Sequence, residues 1–197
     1  MNIANFFTAT RVIAAPFFIL LYYLPRYAGI SEQTALLIII PLFVYMEFTD
    51  FLDGFYARKL KQVSDFGKLF DPFADVVANL TVLLTFMLSG YVPVPLFIII
   101  LYRELSILFL RMLARGNGIT IAAKKGGKIK TVCYITAEGF TLLIELLIAF
   151  SLTGESTVHM LIVANKILYG VAAVLSVGSF FDYLTSYRKN LRGTAQS

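Results

Sequence analysis

The sequence predicts an all-α integral membrane protein with six transmembrane helices, a short N-terminal interfacial helix and both termini in the cytoplasm. Of the 197 residues, 58% are hydrophobic and only 15% are charged, and the mean hydropathy is +0.78. A soluble domain carries about 25% charged residues. Apolar runs recur along the whole chain, so we expect one membrane domain over residues 1–197 and no separate soluble domain.

A helix needs about 20 mostly apolar residues to cross the hydrocarbon core of a membrane. Six segments reach this length with a few polar interruptions: 6–25, 34–57, 70–90, 92–113, 131–153 and 158–187. The leading residues, "MNIANFF", have the composition of a short amphipathic helix at the membrane interface. The single cysteine, Cys133, lies inside an apolar segment, so we expect no disulfide framework.

The basic residues predict the orientation of these helices. If both termini are cytoplasmic, the outer loops hold Arg26 alone. The inner loops and tail then hold thirteen basic residues: Arg58, Lys59, Lys61, Lys68, Arg111, Arg115, Lys124, Lys125, Lys128, Lys130, Arg188, Lys189 and Arg192. Lys and Arg accumulate on the cytoplasmic side of membrane proteins. The formal charge of +5 then suits anionic lipid headgroups and phosphorylated substrates, and nucleic acid finds no basic face outside the membrane margin.

Five aspartates lie within the stretch 50–75, at the predicted cytoplasmic ends of the second and third helices. Asp50 and Asp53 are three residues apart, and Asp71 and Asp75 are four apart, so each pair shares one helix face. Four converging carboxylates repel one another and are costly near lipid unless cations neutralise them. Mg²⁺ and Mn²⁺ prefer oxygen ligands and accept substrate phosphates as further ligands. The spacing therefore predicts a two-metal platform for a diphosphate.

Small and basic residues accompany the four aspartates. Gly54, Ala57 and Gly67 lack bulky side chains, which lets a ligand or a neighbouring helix approach the backbone, and Arg58 is placed to reach a phosphate. The joint pattern is Asp50-x-x-Asp53-Gly54-x-x-Ala57-Arg58, eight residues, then Gly67-x-x-x-Asp71-x-x-x-Asp75.

This pattern resembles, without a gap, the signature of the CDP-alcohol phosphotransferase family. The resemblance implies a six-helix membrane enzyme that moves a phosphatidyl group or another substituted phosphate from a CDP-linked donor to an alcohol and releases CMP. It also implies dependence on two Mg²⁺ or Mn²⁺ ions, and a homodimer.

The resemblance further assigns roles to residues of the pattern. Asp50, Asp53, Asp71 and Asp75 would hold the metals, and Asp75 would also be the catalytic base. The CDP part of the donor would contact the following residues, with the alanine leaving space beside it: Gly54, Ala57, Arg58 and Ser64.

Two other stretches resemble the bacterial phosphatidylglycerophosphate synthases within that family. "NIANFFTATRVIAAP" matches their opening at Asn5, Thr8, Arg11 and Pro16. "YRELSILFLRMLARGNGITIAAKKGGKIKT" matches a second stretch at Arg103, Glu104, Arg111, Gly127, Lys128, Lys130 and Thr131. The resemblance implies binding of CDP-diacylglycerol, with Asn5 and Thr8 at the CDP-lipid, and glycerol 3-phosphate as acceptor. It implies phospholipid biosynthesis at the bacterial cytoplasmic membrane, with the active site facing the cytoplasm. After Asp75 those synthases commonly continue with a basic residue, where this chain has Val76 and Asn79.

Four basic residues of the stretch 102–131 have the charge needed to bind the phosphate of glycerol 3-phosphate. Glycerol 3-phosphate is a dianion near neutral pH, so its pocket should be cationic. Arg103 and Arg111 lie eight apart on the fourth helix, and Lys128 and Lys130 open the fifth. We expect these four to bind the acceptor phosphate, although topology and lipid binding would also explain the lysines.

Two alternative functions stay open at the level of sequence. One is the same transfer to serine, an inositol phosphate or another alcohol, since the family pattern concerns the shared donor. The other is a cation transporter, because charged residues lie inside the apolar segments. Against it, the carboxylates gather at one membrane face and no inverted repeat is visible. Glu138, Glu145 and Lys166 carry further charge into the last two helices, where we expect polar contacts across the bundle.

Overall fold

The structure is a computed structural model that describes residues 3–59, 67–116 and 125–194. Within these ranges it does not describe the side chains of residues 3, 4, 50, 51, 53–59, 68, 125–128 and 189–194. The described residues form six helices and no strand, which confirms the predicted all-α class. The helices are α1 (Ile3–Ala28), α2 (Glu32–Lys59), α3 (Gly67–Leu88), α4 (Val94–Gly116), α5 (Lys125–Ala149) and α6 (Glu155–Thr194).

Each helix overlaps one predicted segment but has different bounds. Helix α1 runs unbroken from Ile3, so the described part of the predicted interfacial segment forms the first turns of α1 rather than a separate helix. Helix α5 begins at Lys125, six residues before the predicted segment at 131. Apolar runs mark the part of a helix that faces lipid or core, whereas backbone hydrogen bonding continues into polar sequence on either side.

Five of the six helices, all except α4, are long and apolar enough to cross a membrane. Any 18 consecutive residues of α4 include Arg103, Glu104 and Arg111, which lowers its apolar character. Arg103 and Glu104 are nevertheless buried in the bundle. The chain is thus a helical membrane protein, and α4 is one of the helices that carry charge into the interior.

The helices pack as two groups of three. Helix α1 contacts α2 and α3, while α6 contacts α4 and α5, and the groups meet where α3 touches α4 and where α5 touches α2 and α3. Phe18 on α1 is fully buried, and its ring centroid lies 6.0 Å from Phe86 on α3 and 6.4 Å from Phe43 on α2. Such aromatic contacts stabilise a core beyond the area that they bury.

One end of the bundle is closed by short turns. At the end of α3, the Tyr91 N–H donates to the Phe86 carbonyl (2.9 Å) and the Gly90 N–H donates to the Met87 carbonyl (3.0 Å). This is a Schellman cap, and Gly90 takes the left-handed conformation that the cap requires, with φ of 84°. The turns 29–31, 89–93 and 150–154 all lie at this end, so the starts of α1, α3 and α5 share the other end with the ends of α2, α4 and α6.

The sequence predicts that Glu138, Glu145 and Lys166 make polar contacts across the bundle, and only one of the three does so among the described residues. Glu145 makes such a contact, because it accepts a hydrogen bond from the Tyr22 hydroxyl of α1. Lys166 is exposed on α6. Glu138 is fully buried, and neither of its carboxyl oxygens has a hydrogen-bond partner among the described residues. Burial of an unpartnered carboxyl costs free energy.

Replacing Glu138 by leucine is expected to leave the melting temperature in detergent unchanged or higher. Leucine is of similar volume and removes a buried polar group that has no described partner. The matched control, Tyr22→Phe, takes a donor away from Glu145 and is expected to lower stability by about 1–2 kcal/mol. Thermal unfolding of both variants checks this, and a larger fall for Glu138→Leu than for Tyr22→Phe would contradict it.

Candidate active site

The start of α1 supports two of the predicted aspartates on α3. The Thr8 hydroxyl donates to Asp71 Oδ1 at 3.0 Å, and the Arg11 guanidinium forms an ion pair with Asp75. Thr8 and Arg11 are one turn apart on α1, as are the two aspartates on α3, so the two rows of side chains meet in register. Thr8 is fully buried and the Arg11 side chain is 3% exposed, whereas the Asp75 side chain is 46% exposed. Helix α1 therefore supports these carboxylates and leaves Asp75 accessible.

The rest of the acidic pattern is described only in part. The backbone of the last turns of α2 is helical and includes five residues of the pattern, whose side chains are not described: Asp50, Asp53, Gly54, Ala57 and Arg58. Ser64 lies outside the described residues. Gly67 is buried as the first residue of α3. Asn5 is half-buried near the start of α1.

A cavity of ≈ 730 Å³ opens beside Asp75. It is lined by Arg11, Met46, Glu47, Pro72, Asp75, Val76, Ala78, Asn79, Arg103, Glu104, Ile107, Leu108, Arg111, Lys130, Thr131 and Val132. These residues come from α1 to α5. The charged ones fall into two sets, one on α1, α2 and α3 and the other on α4 and α5. The volume suits a small polar substrate together with part of a larger one.

One wall of the cavity, which we call the basic wall, consists of Arg103, Glu104 and Arg111 on α4 and Lys130 on α5. Arg103 Nη1 lies 2.9 Å from Glu104 Oε1, and Lys130 forms an ion pair with the same oxygen. These three side chains are almost completely buried, while Arg111 is exposed with its guanidinium 5.9 Å from the ring centroid of Tyr183. Three cations and one carboxylate give this wall a formal charge of +2.

The opposite wall, which we call the acidic wall, consists of Arg11 on α1, Glu47 on α2 and Asp75 on α3. Its formal charge is −1. Carboxylates therefore outnumber cations on the acidic wall, and cations outnumber carboxylates on the basic wall. A molecule that carries a phosphate at one end and a hydroxyl at the other can meet both walls at once.

The structure brings three of the four predicted acceptor-binding residues to the basic wall. Arg103, Arg111 and Lys130 line it together. Lys128 belongs to α5 by its backbone, and its side chain is not described.

Two polar residues that line the cavity, Glu47 and Asn79, lie outside all of the sequence patterns described above. Glu47 precedes Asp50 by three residues, and Asn79 follows Asp75 by four, so each continues a helix face that already carries an aspartate. Extending the same spacing by one turn would have found both. The side-chain oxygen of Asn79 is buried and has no hydrogen-bond partner among the described residues.

Comparison with known proteins gives a consistent result. The family model for CDP-alcohol phosphatidyltransferase matches residues 1–177. A relative from Treponema pallidum (strain Nichols), named CDP-diacylglycerol–glycerol-3-phosphate 3-phosphatidyltransferase, is 42% identical over 95% of this chain and 89% of its own length. Relatives of the same name come from Bacillus subtilis (strain 168), at 37% identity over 72% of this chain and 77% of the relative, and from Haemophilus influenzae (strain ATCC 51907 / DSM 11121 / KW20 / Rd), at 34% identity over 99% of this chain and 98% of the relative.

The matched region contains all six predicted membrane segments except the end of the last one, and it includes both walls of the cavity. The chain belongs to the CDP-alcohol phosphatidyltransferase family, whose members are transferases that generally depend on divalent metal ions.

Proposed function

We propose that this protein transfers the phosphatidyl group of CDP-diacylglycerol to sn-glycerol 3-phosphate, giving phosphatidylglycerol phosphate and CMP. The observation that carries the proposal is the basic wall, which faces Asp75 across one cavity. Relatives named for this reaction that align over 72% to 99% of the chain support it. Family membership favours a transferase over the alternative of a cation transporter.

The acidic pattern is proposed to hold two Mg²⁺ or Mn²⁺ ions through Asp50, Asp53, Asp71 and Asp75. The described part fits, because Asp71 and Asp75 present hard oxygen ligands one turn apart beside the cavity. Among the described side chains no three Asp, Glu, His or Cys residues form a group that could hold a metal, so Asp50 and Asp53 would complete the site. When bound, such ions neutralise the diphosphate and stabilise the CMP leaving group.

Asp75 is the proposed catalytic base. It lines the cavity and is partly exposed, and the Arg11 guanidinium fixes one of its oxygens. As the acceptor hydroxyl oxygen bonds to the lipid-bearing phosphorus, Asp75 accepts the hydroxyl proton and the bond from phosphorus to the CMP oxygen breaks. No covalent intermediate is needed.

The basic wall is proposed to bind the acceptor phosphate. Its formal charge of +2 matches a phosphate dianion, so binding leaves no uncompensated charge in a partly buried site. A neutral acceptor such as serine would leave this charge unbalanced. Lys128 is proposed to contribute from the start of α5.

The donor is proposed to lie on the other side of Asp75, along the end of α2 and the start of α1. Its proposed contacts are Asn5, Thr8, Gly54, Ala57, Arg58 and Ser64. The described contact of Thr8 is its hydrogen bond to Asp71, so we propose that Thr8 acts on the donor site by orienting that carboxylate.

The proposed location is the bacterial cytoplasmic membrane, as a multi-pass protein with the active site facing the cytoplasm. Basic residues at the cavity end of the bundle support this orientation. A homodimer stays a prediction from the family resemblance, and binding of anionic membrane lipids stays a prediction from the basic charge of the cytoplasmic loops and tail.

The first test is CMP release from CDP-diacylglycerol by the purified protein in detergent with Mg²⁺ or Mn²⁺. Release is expected to require glycerol 3-phosphate and to be near background with serine or unphosphorylated inositol, because neither carries the phosphate dianion that matches the charge of the basic wall. Release that depends on serine or an inositol compound instead would overturn the acceptor assignment while keeping the reaction class.

The catalytic aspartates are tested by amide substitutions of nearly identical shape. Asp75→Asn and Asp71→Asn are expected to lower kcat by at least about 10²-fold, since one loses the base and both lose a charged oxygen ligand. Asp65→Asn is the matched control, because Asp65 lies outside the spaced pattern, and it should retain parental activity. Parental turnover by Asp75→Asn, with the melting temperature unchanged, would exclude it as the base.

The support that Thr8 gives to Asp71 predicts a change in metal affinity. Thr8→Val is expected to raise the Mg²⁺ concentration for half-maximal activity by about 10–100-fold, with activity recovering at saturating Mg²⁺. Thr10→Val is the control, since the Thr10 hydroxyl on the same helix donates to the Phe7 carbonyl at 2.8 Å instead of to an aspartate. Metal titrations of activity and of melting temperature check the prediction, and equal metal dependence of both variants would refute it.

A further inference from the structure

The guanidinium of Arg103 is held from behind the basic wall by α6. Its Nε donates to the Ser176 carbonyl at 3.1 Å, and its Nη2 donates to the Ser179 hydroxyl at 2.6 Å. Its Nη1 donates to Glu104 at 2.9 Å. Arg103 lines the cavity, whereas the two serines are not part of its lining. Nε and Nη2 are therefore anchored to α6 behind the wall, and Nη1 is anchored to Glu104 within the wall.

These contacts leave part of the guanidinium available to the cavity. A guanidinium carries five N–H donors. The three described contacts use one donor on each nitrogen and leave one on Nη1 and one on Nη2. One N–H donor on each terminal nitrogen is therefore available to the oxygens of a phosphate, and charge-assisted Arg–phosphate hydrogen bonds are among the stronger ones.

The Ser179 hydroxyl is itself fixed in the role of acceptor. Its hydrogen is donated to the Ser176 carbonyl at 2.8 Å, so its oxygen lone pairs are left for Arg103. The same carbonyl also accepts from Arg103 Nε, which closes a small ring of hydrogen bonds between α4 and α6. A free arginine side chain loses much rotamer freedom when it binds a ligand. Because the hydrogen bonds to α6 already fix Arg103 before the ligand binds, that entropic cost is not part of the binding free energy.

We propose that Ser179 is a positioning residue for the acceptor phosphate. It orients the guanidinium plane of Arg103 so that the two remaining N–H donors face the cavity. This inference rests on the proposed function, in which Arg103 binds the phosphate of glycerol 3-phosphate. It also gives α6, whose described side chains do not line the cavity, a part in acceptor binding.

The test compares Ser179→Ala with the conservative Ser179→Thr. The alanine variant is expected to raise the KM for glycerol 3-phosphate, and the inhibition constant of inorganic phosphate as a competitor, by about tenfold. That factor corresponds to about 1.4 kcal/mol, the size of one hydrogen bond to a charged group. The KM for CDP-diacylglycerol and kcat should stay at parental values, the melting temperature should fall only by the loss of this one hydrogen bond, and threonine should restore acceptor binding.

Ser186→Ala is the matched control on the same helix. The Ser186 hydroxyl also donates to a backbone carbonyl one turn earlier, that of Asp182 at 2.9 Å. It should leave every constant unchanged. If Ser186→Ala raises the KM for glycerol 3-phosphate as much as Ser179→Ala does, the effect is a general one on α6 and the proposal is overturned.

Arg103→Gln separates the failure of this inference from failure of the proposed function. If Arg103→Gln raises the KM for glycerol 3-phosphate and Ser179→Ala does not, Ser179 has no positioning role and the acceptor site stands. If neither variant changes that KM or the inhibition by phosphate, the basic wall does not bind the acceptor and both ideas fail. An equal rise of both substrates' KM in Ser179→Ala would also reject a specific role at the acceptor.

Discussion

A charged side chain inside a membrane bundle is stable only where a neighbouring group compensates its charge, and this requirement places the charged groups of the site. Asp75 on α3 is compensated by Arg11 on α1. Glu104 on α4 is compensated twice, by Arg103 beside it and by Lys130 on α5. Two of these pairs, Arg11–Asp75 and Lys130–Glu104, join different helices. The contacts that make the charges tolerable are thus also the contacts that align the helices around the cavity.

The separation of the two walls gives the cavity a direction. The basic wall lies on α4 and α5, and the acidic wall lies on α1, α2 and α3, so each half of the bundle supplies one sign of excess charge. A substrate that carries a phosphate and a hydroxyl is oriented by this field before any specific hydrogen bond forms. Orientation of this kind brings a hydroxyl to a base at little entropic cost.

Much of this arrangement is accessible from the sequence, because helical periodicity states which residues share a face. The apolar runs predicted all six helices, and the spacing of Asp71 and Asp75 predicted that they point the same way. Periodicity does not state which face of one helix meets which face of another. The support of Asp71 by Thr8 and the double pairing of Glu104 therefore emerged only from the packing. The role of a backbone acceptor such as the Ser176 carbonyl cannot be predicted from the sequence, since every residue carries a carbonyl.

The pairing of Arg103 with Glu104 joins neighbours on one helix, and this has a consequence for how the protein is made. Helix α4 is not apolar enough on composition to be counted among the membrane-crossing helices, and a lone arginine at the centre of a span costs about 2.5–3.5 kcal/mol to insert. Because the helix brings its own counter-ion, it enters the bilayer with these two charges already neutralised. Biogenesis of α4 then does not have to wait for Lys130, which is synthesised later and adds a further positive charge only once α5 has joined the bundle.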